Sequence, residues 1–306
     1  MGGDRLSIRR RDLLCGAIAG LSGLSGCSGA VGSAGRQPDP VSILAAGSLN
    51  NALENGLRSD LDTPLQVEAH GSARVARMVA DGQKDPDVVS VADTALFDGP
   101  THPPWFAEFA TNSVVVAYDP ESEGGQRIAA AGPDEWYRPL LDDSVSLGRT
   151  DPDLDPLGYR TLFVFELASE YYGTDSDLRT AIPTREQLFP ETQLVSQFET
   201  GSVDAAITYR NMAVERDYAF VELPAAIDLS DPAHADDYAA ARYELPSGKV
   251  VRGGPISYAS TARNRTEAVL DVFDEHVRGA YLREFGFSVP DEYPTFSGNV
   301  PDEITR

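Results

Sequence analysis

From residue 41 onward, short apolar runs alternate with segments whose apolar residues recur every three or four positions. Val41–Ala46 is a run of strand length, and Leu49, Leu53 and Leu57 then share one face of a helix predicted over 50–61. The pattern returns at once. Residues 65–69 read as a strand and 73–80 as a helix with Val75, Met78 and Val79 inward. Residues 87–92 read as a third strand, the Pro- and Trp-bearing segment 99–105 as a loop, and 112–118 as a long buried strand. Residues 119–148 carry no clear period apart from an amphipathic piece at 136–141.

The middle of the chain has a distinct signature. Asp151, Asp153 and Asp155 alternate with other residues, and two of them precede Pro152 and Pro156, so an extended loop is expected there. Leu162, Phe163, Phe165, Leu167, Ala168, Tyr171 and Tyr172 follow at helical spacing, with Gly173 as the stop. An acid-rich loop thus feeds the unpaired N–H groups and positive end of a helix, where an anion site or a metal centre would be built.

Beyond it, Glu191–Glu199 reads as a helix with Pro190 near its first turn. A strand at 203–209, a short helix at 210–216 and a strand at 220–224 that could cross back come next. Thr266 is placed to cap Glu267–Arg278, whose Ala268, Val269, Val272, Phe273, His276 and Val277 face inward, and the Pro-rich tail 288–306 is expected on the surface. Repeated α/β layering without a hydrophobic break predicts an α/β fold of two lobes joined by crossing strands.

Two serines stand at equivalent junctions. Gly47-Ser48 and Gly71-Ser72 each follow a strand and open a helix, so each aims backbone N–H groups and a hydroxyl at one rim of a parallel sheet. That rim is where ligands sit in open α/β sheets, although Ser48 is also a good N-cap in its own right.

Residues 1–27 read as a targeting segment. Arg9-Arg10-Arg11 precedes a short apolar run, as in a twin-arginine export signal, and Leu24-Ser25-Gly26-Cys27 resembles a lipobox in which Cys27 is lipidated and becomes the mature N-terminus. The run is too short and glycine-rich for a membrane span. Residues 28–40 form a flexible tether. With Cys15 removed and Cys27 acylated no disulfide can form, so stability must come from the cores.

The formal charge of −23 over 306 residues argues against a nucleic-acid partner, which would require clustered Lys and Arg. The acids are spread along the whole chain, as on a surface that stays soluble in strong salt, and a halophilic source is the expectation.

Separated blocks then match one family in order: Ala46-Gly47-Ser48-Leu49, Gly71-Ser72-Ala73, Val91-Ala92-Asp93, Thr111-Asn112-Ser113 with Ala117-Tyr118, Asp155-Pro156-Leu157-Gly158-Tyr159-Arg160, Phe198-Glu199-Thr200-Gly201 with Tyr209, and Phe220-Val221-Glu222-Leu223-Pro224. The chain resembles the archaeal tungstate/molybdate-binding proteins of ABC importers over most of residues 41–298. The resemblance implies a two-lobed periplasmic-binding-protein type II fold, with residues 41–112 and 222–306 as lobe I and 113–221 as lobe II. It further implies a monomeric receptor, held outside the cell membrane by its lipid, that captures tungstate or molybdate between the lobes and hands it to a permease. Ser48, Ser72 and Tyr209 would hydrogen-bond the oxyanion, and Asp155 and Glu191 would bond to its tungsten or molybdenum, with Glu199 the alternative to Glu191. The anion is cargo; no cofactor and no catalytic residue is implied.

The chemistry is selective. Two carboxylates beside a dianion would each be repelled by about 4 kcal/mol per charge pair at ~4 Å and an effective dielectric near 20, which excludes plain sulfate or phosphate binding. Bonding to an oxophilic metal that expands its coordination removes the objection, as would protonation of one acid. Arg160 and Arg74 could add positive charge, although both read mainly as structural.

Other readings are a receptor for ferric ion, sulfate or phosphate, and an extracellular hydrolase. A calcium loop at Asp151, Asp153 and Asp155 fails because Pro156 stands at its sixth position and Leu162 at its twelfth. His70, His102, His234 and His276 show no zinc-protease spacing, no nucleophile elbow is present, and His276 lies on a helix face suited to core packing. Asn264-Arg265-Thr266 fits a glycosylation sequon, but Thr266 is already explained as a cap.

Overall fold

The computed structural model describes residues 39–304 except 98–100, 142–143, 154, 184–187, 190, 247 and 249. The arginine run, the lipobox with Cys27 and the tether up to residue 38 lie outside the described residues. Among the described residues no helix is long and apolar enough to cross a membrane.

Thirteen strands are described: β1 Val41–Ala46, β2 Leu65–His70, β3 Val88–Val91, β4 Trp105–Asn112, β5 Val114–Tyr118, β6 Leu147–Thr150, β7 Leu188–Phe189, β8 Ala205–Tyr209, β9 Ala219–Glu222, β10 Arg242–Glu244, β11 Val250–Arg252, β12 Ile256–Ala262 and β13 Thr295–Gly298. They form a six-stranded sheet in the order β13-β4-β12-β3-β1-β2, a five-stranded sheet in the order β7-β6-β8-β5-β9, and the pair β10-β11. β1 runs parallel to both β2 and β3, so the segments that follow these three strands emerge at one rim. In the second sheet β6 and β8 are parallel and open onto a common rim in the same way.

The run predicted as one strand over 112–118 is divided between the sheets. Asn112 ends β4, Ser113 is the pivot and Val114 begins β5. The return passes alongside, since Val114 N donates to Asp228 O at 2.9 Å and Ile256 N to Leu229 O at 2.9 Å. The strand read over 220–224 does not itself cross back: as β9 it stays in the second sheet against β5, and the return at Asp228 and Leu229 follows it.

Several expectations need correction. Trp105 is no loop residue: it begins β4 and is buried under helix Glu267–Arg278, edge-on to Phe273 at 5.1 Å. The helix of the acid-rich segment begins at Pro156, because Asp155 and Pro156 act as N-cap and first helical residue, a position whose N–H has no partner within the helix and whose fixed φ suits the helix start. Residues 50–61 do not form one regular helix. A 3-10 turn at Gly47–Leu49 leads into a widened turn at Ala52–Leu57, and Leu49, Leu53 and Leu57 are all fully buried. Their spacing of four exceeds the 3.6 residues of an α-helical turn, and widening keeps them in line. The C-terminal tail lies largely on the surface, as expected, but part of it is ordered as a strand: Thr295–Gly298 pairs with β4 and covers what would otherwise be an open sheet edge.

Thr266 caps Glu267–Arg278 as expected, accepting from Val269 N. Inside that helix His276 is buried, its Nε2 bonded to Ser90 at 2.9 Å and its Nδ1 to Tyr281 at 2.7 Å. Burial pushes its pKa down to about 3, so it is a neutral core residue. Asn264 of the sequon donates to Asp87 Oδ1 at 2.6 Å.

Candidate functional site

The first rim is built from β1, β2 and β3. Ser48 lies in the turn after β1, but its side chain caps no helix; its Oγ is 3.0 Å from the hydroxyl of Tyr258 on β12. Ser72 is the first residue of helix Ser72–Ala80, with Gly71 as the N-cap residue. Its Oγ accepts from Ala92 N at 2.9 Å, which ties the second junction to the end of β3 beside Asp93.

The second rim follows β6 and β8. Asp155 caps helix Pro156–Tyr172, its Oδ1 accepting from Leu157 N at 2.6 Å. Gly158 is required by the close return of the loop: a Cβ there would come within 2.5 Å of the Asp151 and Pro152 backbone. One turn on, Arg160 Nη1 donates to the hydroxyl of Tyr209 at 2.7 Å, and the guanidinium lies 5.7 Å from the centre of the same ring.

Electrostatics join the rims. Burial pushes the Asp155 carboxyl above the usual aspartate range, opposed by the Leu157 N–H and the charge of Arg160. Burial likewise raises the Tyr209 hydroxyl, against the pull of Arg160, so it stays a neutral donor. Burial works against the charge of Arg160, but Tyr209, Tyr159 and Asp93 of the first rim outweigh it and hold the cation. Across the gap Asn211, in the short helix after β8, donates from Nδ2 to Ser48 O at 3.2 Å. Arg160 thus couples Asp155 and Tyr209 to Asp93 of the first rim, Asn211 ties Ser48 to the end of β8, and none of Ser48, Ser72, Asp155 and Tyr209 is fully buried.

Two of the three hydroxyls share a polarity. A protein donor fills an acceptor position on Ser72 from Ala92 N–H and on Tyr209 from Arg160, leaving each its own proton to give. The arrangement suits a ligand rich in acceptors and without protons. Arg160 and Tyr258 are the members that pattern reading undervalued or missed. Arg160 was legible, five residues beyond a capping aspartate and so near the same helix end; Tyr258 sits within an ordinary apolar strand.

Glu191 opens helix Glu191–Glu199, which lies close on β6: a Cβ on Gly148 would meet Leu194 at 2.5 Å. The Glu191 side chain is outside the described atoms, so its joining Asp155 remains an expectation. Glu199 is exposed at the far end of that helix and accepts from the Tyr218 hydroxyl at 2.7 Å. Asp153 points away and accepts from Tyr243. Among the described residues no group of three His, Cys, Asp or Glu is placed to hold a metal ion. A cavity of about 420 Å³, lined in part by Phe97, His102, Trp105, Arg263 and Arg265, lies at the opposite end of the first sheet and touches no member of the cluster.

Comparison with known proteins decides the family. Residues 43–262 match the model for bacterial extracellular solute-binding proteins, most of the chain. The chain belongs to that family. A solute-binding relative from Haloferax volcanii, provisionally named an ABC transporter molybdenum-binding protein, is 55% identical over 269 residues, 87% of each chain. The molybdate/tungstate-binding protein WtpA of Thermococcus kodakarensis is 30% identical over 305 residues, covering 86% of this chain and 85% of its own. Among solved structures, the substrate-binding domain of a provisionally named molybdenum ABC transporter from Clostridium difficile superposes with a TM-score of 0.54 at 15% identity. It covers 82% of this chain and 99% of that one, a likeness of fold. The resemblance and the two-sheet α/β architecture read from the sequence are both borne out.

Proposed function

We propose that this solute-binding protein captures molybdate or tungstate between its two sheets and delivers it to the permease of an ABC importer. The observation that carries the reading is the bond of Arg160 to Tyr209 beside Asp155, with Asp93 of the first rim, next to the Ala92 that bonds Ser72, in electrostatic reach of the same guanidinium. The names of the relatives from Haloferax volcanii and Thermococcus kodakarensis support the same cargo.

In this reading residues 41–112 with 222–306 form one lobe and 113–221 the other, moving about the crossing strands as the cleft closes. Ser48, Ser72 and Tyr209 donate to the oxyanion oxygens. Asp155 and Glu191 bond to the metal itself, which is how carboxylates tolerate a dianionic cargo. Arg160 supplies the positive charge that offsets Asp155. The protein carries out no reaction. Export through the arginine-bearing signal, a lipid on Cys27, a monomeric state and an acidic surface adapted to salt complete the proposal.

Calorimetric titration in high salt with molybdate, tungstate, sulfate and phosphate is the test. Tight binding of the first two and weak binding of the others is the expected result. Tight binding of ferric or calcium ions with none of tungstate would end the oxyanion assignment.

A further inference from the structure

We infer that Tyr258 is a positioning residue that fixes the Ser48 hydroxyl as a proton donor and links it to the strand crossing. The inference rests on the proposed oxyanion site and extends it to a residue that does not line it.

The argument starts at the crossing. Asn112 Oδ1 accepts from the backbone N–H of Ser113 at 3.0 Å and of Asn211 at 3.4 Å, which sets the orientation of the Asn112 amide: reversed, its NH2 would face two donors. Asn112 Nδ2 is therefore the donor to Asn211 Oδ1 at 2.7 Å and to the Tyr258 hydroxyl at 3.3 Å. The Asn211 amide is fixed from both sides as well, since its Nδ2 donates to Ser48 O.

Tyr258 is 2% exposed, so its own proton needs an acceptor. Among the described residues the acceptor within reach is Ser48 Oγ, at 3.0 Å. The chain of donation runs Asn112 to Tyr258 to Ser48, and the Ser48 proton is turned toward the rim. Ser48 thereby joins Ser72 and Tyr209 as a hydroxyl with a filled acceptor side, and Asn112, which donates to Tyr258 in turn, stands next to the Ser113 pivot. With Tyr258 removed, Ser48 could rotate and accept, and an anion carrying a proton would no longer be disfavoured there.

Two measurements test this. In the ligand-free protein the buried Tyr258 hydroxyl proton gives a slowly exchanging NMR resonance, and Ser48→Ala moves it upfield by removing its acceptor; an unmoved resonance overturns the relay. In competition titrations Tyr258→Phe weakens tungstate about threefold to tenfold, the worth of one hydrogen bond. Hydrogen phosphate is weakened less or not at all, so the preference between them narrows. An equal loss for both anions, or no loss for either, overturns the inference. A wild-type protein that binds neither molybdate nor tungstate defeats the proposed function, and the Ser48→Ala resonance still decides the relay.

Discussion

Arg160 reaches from the first turns of helix Pro156–Tyr172 to the hydroxyl of Tyr209 at the end of β8, a 2.7 Å hydrogen bond between two neighbouring strand ends of one rim. The bond places a cation beside Asp155 and turns the Tyr209 proton outward. Arg160→Gln should therefore lower tungstate affinity about tenfold to a hundredfold, the range for a hydrogen bond involving a charged group. Arg160→Lys should recover part of the charge but not the planar fork. Calorimetry on the two variants checks this; equal affinities in all three proteins would make the arginine purely structural.

Asp155 is a helix cap and, in the proposed function, a ligand to the cargo, and one substitution can separate the two. As the N-cap of a 17-residue helix it stabilises the fold, and Asp155→Ala should cost about 0.5–2 kcal/mol of stability along with cargo affinity. Asp155→Asn keeps a capping oxygen and removes the charge. The asparagine variant should melt close to the wild type yet lose at least as much tungstate affinity as the alanine variant. If it binds normally, Asp155 is a cap and nothing more.

The same carboxyl predicts a pH dependence. Bonding to the metal requires the carboxylate form, and burial raises the Asp155 pKa, so affinity should begin to fall at a higher pH than an ordinary aspartate allows. Titration from neutral to acid pH, with Asp155→Asn as the reference lacking this group, reads it directly.

Asp228 lies at the strand crossing, and burial pushes its pKa up to about 6. The folded state thus holds this proton more tightly than the unfolded chain does. Its charged form opposes folding at neutral pH, and that cost is relieved as pH falls through 6 toward the unfolded value near 4. Asp228→Asn should stabilise the protein at pH 7 by up to about 3 kcal/mol and by progressively less at lower pH. Denaturant unfolding of both proteins at pH 5 and pH 7 checks the sign.

With a formal charge of −23, the unfolding midpoint should rise between dilute buffer and molar salt as self-repulsion is screened. Thermal melts across that range test it; an unchanged midpoint would leave the acidic surface without the proposed adaptation.

The sequence displayed those parts of the fold where one local signal was decisive. Val41–Ala46, Glu191–Glu199 and Glu267–Arg278 have the predicted limits, because an apolar run or a capped period left no rival conformation. β4 and β13 were missed because their pairing is non-local: Trp105 and Thr295 become strand residues through each other's neighbourhood. At the site, Ser48, Ser72 and Asp155 were visible as strand-to-helix junctions. Tyr258 was not, since its role comes from Asn112, 146 positions away in the chain.

The order β13-β4-β12-β3-β1-β2 has a consequence for how the chain is made. β12 stands between β3 and β4, so the first sheet remains in two unjoined pieces until residues 256–262 have left the ribosome. The other sheet has all five of its strands by Glu222. The middle of the polypeptide can therefore assemble while the beginning waits for the end, and the two rims of the proposed site can take their final places only once β12 is in position.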